Sequence, residues 1–177
     1  AGVAITGDID IFSKQAAAPI IAVTGSNGKS TVVAMLAEIA TKAGKNFGLG
    51  GNLDGDNFKP ALDLLAEGEK DLYLLELSSF QLETTQSLGA AVGTILNLSA
   101  DHMDRYEGID DYHRAKQRIF TGCKQVVINR DDKESYPLVE SGAAVWDFGF
   151  GRAGVNGLGL LEEGGDLYLS YQLEKIV

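Results

Sequence analysis

The chain has a single cysteine, Cys123, so no internal disulfide framework is possible, which fits a reducing compartment. It has no apolar run approaching the roughly 18 residues that mark a membrane span. No secretory pattern stands at the amino end, where Gly7, Asp8 and Asp10 interrupt the apolar residues. Positive charge is in short supply. Against 25 Asp and Glu there are 15 Lys and Arg, a net charge of −10 over 177 residues. That balance argues against nucleic acid or an anionic membrane as the main partner, and its simplest consequence is solubility. Internal repeats and low-complexity segments are lacking as well. These absences lead to the expectation of a cytoplasmic globular protein, one domain in size with room for a second partial unit.

The most informative stretch is Pro19 to Gly44, PIIAVTGSNGKSTVVAMLAEIATKAG. Ile20 to Val23 has the length and composition of a buried parallel strand. Thr24-Gly25-Ser26-Asn27-Gly28-Lys29-Ser30-Thr31 then breaks the run, and a helix follows. That helix carries Val32, Val33, Met35, Leu36, Ile39 and Ala40, with Gly44 placed as its carboxyl cap. Strand, glycine loop ending in Lys-Ser-Thr, then helix is the context of a phosphate-binding loop. Gly25 and Gly28 let backbone N–H groups of the loop turn inward, and the helix start adds its free N–H groups. Lys29 supplies a point charge for β/γ-phosphates, and a hydroxyl of Ser30 or Thr31 can reach Mg²⁺. One position departs from G-x-x-x-x-G-K-[ST]: Val23 stands where the first glycine is usual. A glycine-rich turn with a surface lysine is the plainer reading, and the flanking strand and helix speak against it.

The rest alternates. Lys45 to Leu49 reads as a second strand ending in Gly50-Gly51-Asn52, and residues 53–59 as a polar loop. Pro60 opens a helix through Glu67, closed by Gly68. Asp71 to Leu77 is a third strand and Ala90 to Leu98 a fourth. Gly108 to Gly122 reads as a helix and Gln125 to Asn129 as a fifth strand. A short helix near Glu134 to Val139 precedes a sixth strand, Ala144 to Phe148. Two extended runs, Gly157 to Glu162 and Asp166 to Tyr171, flank Glu163-Gly164-Gly165 as a C-terminal β-hairpin. The fold class expected is α/β, a mostly parallel sheet with helices on both faces, P-loop NTPase-like. Ligands then belong outside the carboxyl ends of the strands, where Lys29, Asn52, Glu76 and His102 all fall. Residues 1–18 do not obviously join the unit that starts at Pro19. They read as the trailing edge of a preceding domain or as an ordinary extension.

Glu76 ends an apolar strand downstream of the phosphate loop, the arrangement that holds Mg²⁺ in nucleotide hydrolases. Alone, it would be a solvated strand-end carboxylate. His102 could ligate metal or hold phosphate, with Asp101 or Asp104 orienting it, or be a solvated loop histidine. Lys116 shares a helical face with Tyr112, Ala115, Ile119 and Phe120. A lysine there must snorkel, pair, or be chemically altered, because burying a bare ammonium is costly. Asn129-Arg130-Asp131-Asp132 echoes the N-K-x-D guanine reader, but no D-x-x-G accompanies it, which speaks against a GTPase. Cys123 reads as packing.

These residues together resemble the Mur ligases, ATP-dependent amide ligases of peptidoglycan precursor synthesis. The shared segments are T-G-S-N-G-K-S-T from Thr24, G-G-N from Gly50, L-E-L-S-S-F-Q-L-E from Leu75, D-H-M-D-R-Y from Asp101 and A-K-x-R-I from Ala115. That family also lacks the first loop glycine. The similarity is clear through residue 132 and weaker beyond. Ser78 to Leu82 and Asp101 to Tyr106 look like the D-glutamate-adding branch, and Gly7 to Phe12 resembles the segment leaving its UDP-binding domain.

The resemblance implies that Gly25, Ser26, Asn27, Gly28, Lys29, Ser30 and Thr31 hold ATP. It implies two Mg²⁺ sites, one on Ser30, Thr31 and Glu76 and a second on His102 and a carbamylated Lys116. Lys29, Glu76, His102 and Lys116 would carry catalysis. Asn52, Ser78 and Gln81 would contact the UDP-sugar. The substrates implied are UDP-N-acetylmuramoyl-L-alanine and D-glutamate, joined through an acyl phosphate by a monomeric enzyme. Residues 1–18 would end an N-terminal UDP-binding domain, and 19–177 would be a central ATP-binding domain, truncated at its carboxyl end. A C-terminal domain would be absent, and with it ligase turnover. The loop Leu53 to Lys59 is longer than the family's usual link. Two alternatives stand beside this reading. A folylpolyglutamate synthase is opposed by S-S-F-Q-L and D-H-M-D-R-Y, and a nucleotide-binding module without catalysis is opposed by the intact set Lys29, Glu76, His102 and Lys116.

Overall fold

The apolar run Ile20–Thr24 forms β1, buried along both faces as a central parallel strand must be. The computed structural model describes residues 5–52, 59–101, 103–138 and 142–176. β1 leads into helix α2, Lys29–Lys42, and then into β2, Phe47–Gly51. Strands β3 (Leu72–Glu76), β4 (Val92–Ile95), β5 (Gln125–Asn129) and β6 (Ala144–Phe148) follow, then β7 (Gly157–Glu163), β8 (Asp166–Tyr171) and β9 (Glu174–Lys175). All belong to one sheet of order β2-β3-β1-β4-β5-β6-β7-β8-β9. Pairing is parallel from β2 across to β7 and antiparallel from β7 to β9. The C-terminal hairpin is therefore an extension of the parallel sheet, with a third strand added.

Alternation along the strands feeds two cores. Ile20 and Ala22 join Tyr73 and Leu75 on one face. Helix α1 (Asp8–Gln15), α3 (Ala61–Leu64), α4 (Ser79–Glu83) and α5 (Ile109–Gln117) cover that face with Ile9, Phe12, Leu64, Leu82 and Tyr112. Val23 and Leu74 point the other way, against Val33 of α2. Helices on both faces were expected, and they are present.

Several details differ from expectation. Residues 8–15, set apart in the sequence, are packed into the first core: Ile9 and Phe12 are fully buried, and Phe12 meets Tyr73 edge-on at 4.9 Å. On α2, Met35 and Ile39 are exposed, because only one side of the helix meets the sheet. Helix α4 was not anticipated. The helix from Pro60 tightens into a 3₁₀ turn over Leu65–Glu67, and α5 likewise over Arg118–Phe120. The short helix near Glu134 is a 3₁₀ turn, Lys133–Ser135, capped by the Asp132 side chain, and Val139 lies outside the described residues. Of the loop Leu53 to Lys59, residues 53–58 also lie outside them, and Lys59 bridges to Gly50. Among the described residues no helix is long and apolar enough to cross a membrane. Past α2, Phe148, Leu160 and Leu169 line an apolar groove of about 460 Å³ that reaches Asn27 and Gly28.

Candidate functional site

β1 lies between β3 and β4, so its carboxyl end is the point where chain direction across the sheet reverses. The phosphate-type loop leaves here. Gly25 has φ +155, and a Cβ on it would stand 3.2 Å from the Leu96 side chain and 3.3 Å from the Leu96 nitrogen. A glycine is what lets the loop lie this close to the end of β4. The β4 end then fastens the loop. Ser26 N–H donates to the Asn97 carbonyl at 2.9 Å. The Asn97 side chain accepts from Asn27 N–H at 2.9 Å and donates to the Asn27 carbonyl at 3.0 Å. Ser99 N–H donates to Ser26 Oγ, and Ser26 Oγ donates to the Ser99 carbonyl, both at 3.0 Å.

Three predicted residues converge on this loop. Lys29 Nζ donates to the Ser26 carbonyl at 3.3 Å. Glu76, at the end of β3 and 2% exposed, accepts from Ser30 Oγ at 2.8 Å. Ser30 and Thr31 are both exposed, and of the two hydroxyls it is Ser30's that bonds to the carboxylate. Lys116 enters from α5. It is 2% exposed, and its Nζ donates to the Gly25 carbonyl at 3.0 Å and to Thr24 Oγ1 at 3.2 Å. Burial first and the neighbouring Lys29 charge second push the Lys116 ammonium down to about 7, against partial support from Asp101 and Glu76. Of the ways a lysine can occupy a buried helical face, this structure shows pairing, with the Gly25 carbonyl and the Thr24 hydroxyl, at a depressed pKa.

Other predicted residues take different places. Asn52 N–H donates to the Glu76 carbonyl at 2.8 Å, which ties the G-G-N segment to the backbone of Glu76. Ser78 and Gln81 form a capping box that starts α4: Gln81 N–H donates to Ser78 Oγ, and Ser78 N–H donates to Gln81 Oε1. Each therefore has a local structural task. Gln81 Nε2 lies 3.5 Å from Asp8 of α1. His102 lies outside the described residues. Cys123 is buried, as expected of a packing residue. Asn97, Ser99 and the Tyr112 hydroxyl, which bonds to Ser26 Oγ at 3.0 Å, were missed. Their partners lie 70 or more residues away, and only the D-H-M-D-R-Y segment nearby hinted that this loop mattered.

A helix start, a lysine and a hydroxyl–carboxylate pair brought together suit an anion held with a hard cation. Comparison with known proteins agrees. The family model described as Mur ligase middle domain matches residues 23–163. The UDP-N-acetylmuramoylalanine--D-glutamate ligase of Pseudomonas savastanoi pv. phaseolicola is 52% identical over 99% of this chain and 38% of its own length. The ligase of the same name from Pseudomonas aeruginosa is 51% identical over the same shares. The chain thus spans under two fifths of the curated relatives it matches. Among solved structures, Escherichia coli FolC in complex with DHPP and ADP superposes with a TM-score of 0.66 at 18% identity, over 96% of this chain and 51% of that one. MurF from Acinetobacter baumannii gives 0.66 at 22% identity, over 87% and 35%. With the family model running from the end of β1 through β7 and the loop geometry in agreement, the chain belongs to the Mur ligase middle-domain family.

Proposed function

We propose that this chain is the nucleotide-handling middle domain of a cytoplasmic, ATP-dependent ligase that joins D-glutamate to UDP-N-acetylmuramoyl-L-alanine in peptidoglycan precursor synthesis. The names of the relatives at 51–52% identity support the substrates. The single observation that carries the nucleotide chemistry is the Ser30–Glu76 pair beside Lys29. A folylpolyglutamate-type enzyme shares the fold, but FolC is 18% identical, against 52% for the D-glutamate ligase.

In this reading Lys29 and the N–H groups at the start of α2 bind the β- and γ-phosphates of ATP, while Ser26 and Asn27 N–H fix the loop to Asn97. Ser30 and Glu76 offer hard oxygen donors of the kind Mg²⁺ prefers, and they are already in mutual contact. Among the described residues no cluster of three or more His, Cys, Asp or Glu is arranged around a metal. Mg²⁺ needs none, because it usually takes one or two carboxylates and completes its shell with water and phosphate. When bound, the metal neutralises phosphoryl charge. The substrate carboxylate oxygen attacks the γ-phosphorus and ADP leaves. The D-glutamate amine then attacks the acyl carbon, loses a proton, and phosphate leaves.

The second Mg²⁺ site rests on Lys116 and His102. A lysine ammonium repels a cation, so Lys116 serves only after its neutral amine attacks carbon dioxide and sheds a proton to become a carbamate. Its depressed pKa supplies that neutral amine near neutral pH. Carbamylation also replaces the repulsion between Lys116 and Lys29 with attraction.

The test is calorimetric titration of the chain with Mg²⁺–ATP beside a Lys29→Ala variant. Binding in the first, lost in the second, is the expected result. No binding by either sinks the nucleotide reading. D-glutamate-dependent phosphate release, assayed in a protein of the relatives' full length carrying this segment, tests the ligase reading, and release that ignores D-glutamate would overturn it.

A further inference from the structure

The hydroxyl of Ser26 has one proton to give and two lone pairs to fill. It donates to the Ser99 carbonyl and accepts from Ser99 N–H, both at 3.0 Å. The third contact, Tyr112 Oη at 3.0 Å, must therefore be a donation from the phenol into the remaining lone pair. Tyr112 is 1% exposed, and burial raises its pKa, with the Asp101 charge acting the same way and the Ser26 contact opposing them. Its ring faces Lys116 Nζ at 4.9 Å, one turn further along α5.

Ser26 is a sensitive place to hold. The carbonyl before it, Gly25's, accepts from Lys116, and its own carbonyl accepts from Lys29. The two lysine side chains are thus held by adjacent peptides of the loop. Twisting either peptide redirects a lysine and breaks the bonds by which Ser26 N–H and Asn27 N–H fasten the loop to Asn97.

We propose that Tyr112 is a positioning residue for the phosphate loop, its hydroxyl fixing Ser26 so that Lys29 and Lys116 are held in their working places. The proposal rests on the nucleotide reading above. It assigns Tyr112 no contact with ATP: the residue acts through Ser26.

Tyr112→Phe keeps the ring and removes the hydroxyl that bonds to Ser26, so folding is expected to survive. The chain, Tyr112→Phe, Ser26→Ala and the double variant are titrated with Mg²⁺–ATP and with Mg²⁺–tripolyphosphate, a probe without a base. The expected result is a roughly 3- to 10-fold weaker Kd for both probes in Tyr112→Phe, the range of one net hydrogen bond, with stoichiometry and Tm retained. In the double variant the loss should be close to that of Ser26→Ala alone, because both substitutions remove the same bond. Unchanged affinity in Tyr112→Phe overturns the proposal. So do losses that multiply in the double variant, or a weakening that merely tracks a fallen stoichiometry. If the unsubstituted chain binds neither probe, the nucleotide reading falls and this proposal falls with it. If it binds and Tyr112→Phe binds equally well, only the role of Tyr112 is lost.

Discussion

Ser30 and Glu76 stand 46 residues apart in sequence and 2.8 Å apart in space, hydroxyl donating to carboxylate. β1 and β3 are neighbours with Val23 opposite Glu76, so strand register alone sets the carboxylate level with the loop. Glu76→Gln keeps an acceptor for Ser30 and deletes the charge. Affinity for Mg²⁺–ATP should drop at least about 10-fold, about 1.4 kcal/mol. Affinity for ATP in EDTA should hold or improve, because an anion facing the phosphates is gone. Titration with and without metal checks this. Equal losses in both conditions would remove Glu76 from the cation's shell.

Lys116 makes stability depend on pH in an unusual direction. Its folded pKa is about 7 against an ordinary 10.5, so between those values the unfolded chain binds the extra proton. Stability from this group therefore rises with pH through that window, and the full penalty applies below about pH 7. Lys116→Met removes the charge and keeps the length, at the cost of a donor to the Gly25 carbonyl and Thr24. The variant should be more stable than the parent by about 1–3 kcal/mol at pH 6. The advantage should shrink as pH rises toward 10. Urea titrations across that range decide it, and a pH-independent difference would mean that Lys116 is not a buried ammonium.

How far these relationships could be read beforehand follows from how local they are. β1, the loop and α2 are contiguous, so composition and spacing were enough to place them. Helical periodicity put Lys116 on the buried face, as found, but could not name the Gly25 carbonyl 91 residues earlier as its acceptor. Periodicity also listed Met35 and Ile39 beside Val33, yet it says which residues share a face and nothing about what covers it. Helix α4 is five residues long, too short for any period. Its one local signal is Ser78 and Gln81 at capping-box spacing, residues that the family resemblance also assigns to the substrate. The Tyr112 hydroxyl was hidden by its apolar ring, which was enough to explain its place on the face.

Residues 8–15 provide a stability test of a packing relation that sequence alone set aside. Phe12 is fully buried in the same cluster as Tyr73, Leu75 and Leu82, and Asp10, also buried, accepts N–H bonds from Gln86 and Ser87 through Oδ1. Phe12→Ala should destabilise the whole sheet domain by about 3–5 kcal/mol. Denaturant unfolding measures it. A cost below about 1 kcal/mol would mean that α1 is an appendage.

Gly51 and Gly44 separate two reasons for a glycine. Both have positive φ, +101 and +67, so each alanine variant incurs a backbone cost of about 1–2 kcal/mol. Around Gly44 a new Cβ meets nothing within 4 Å, so that cost is the whole of it. At Gly51 the Cβ would stand 2.1 Å from the Glu76 carbonyl oxygen, an atom that also accepts the Asn52 N–H bond. Backbone cannot swing aside as a long side chain can, so β2 must move from β3 or Glu76 must shift. Gly51→Ala is therefore expected to lose more stability than Gly44→Ala and, unlike it, to weaken Mg²⁺–ATP binding, since the displaced residue is the one paired with Ser30. Melting curves and titrations of the two variants side by side check both parts. If Gly51→Ala binds like the parent, the G-G-N turn does not position the carboxylate.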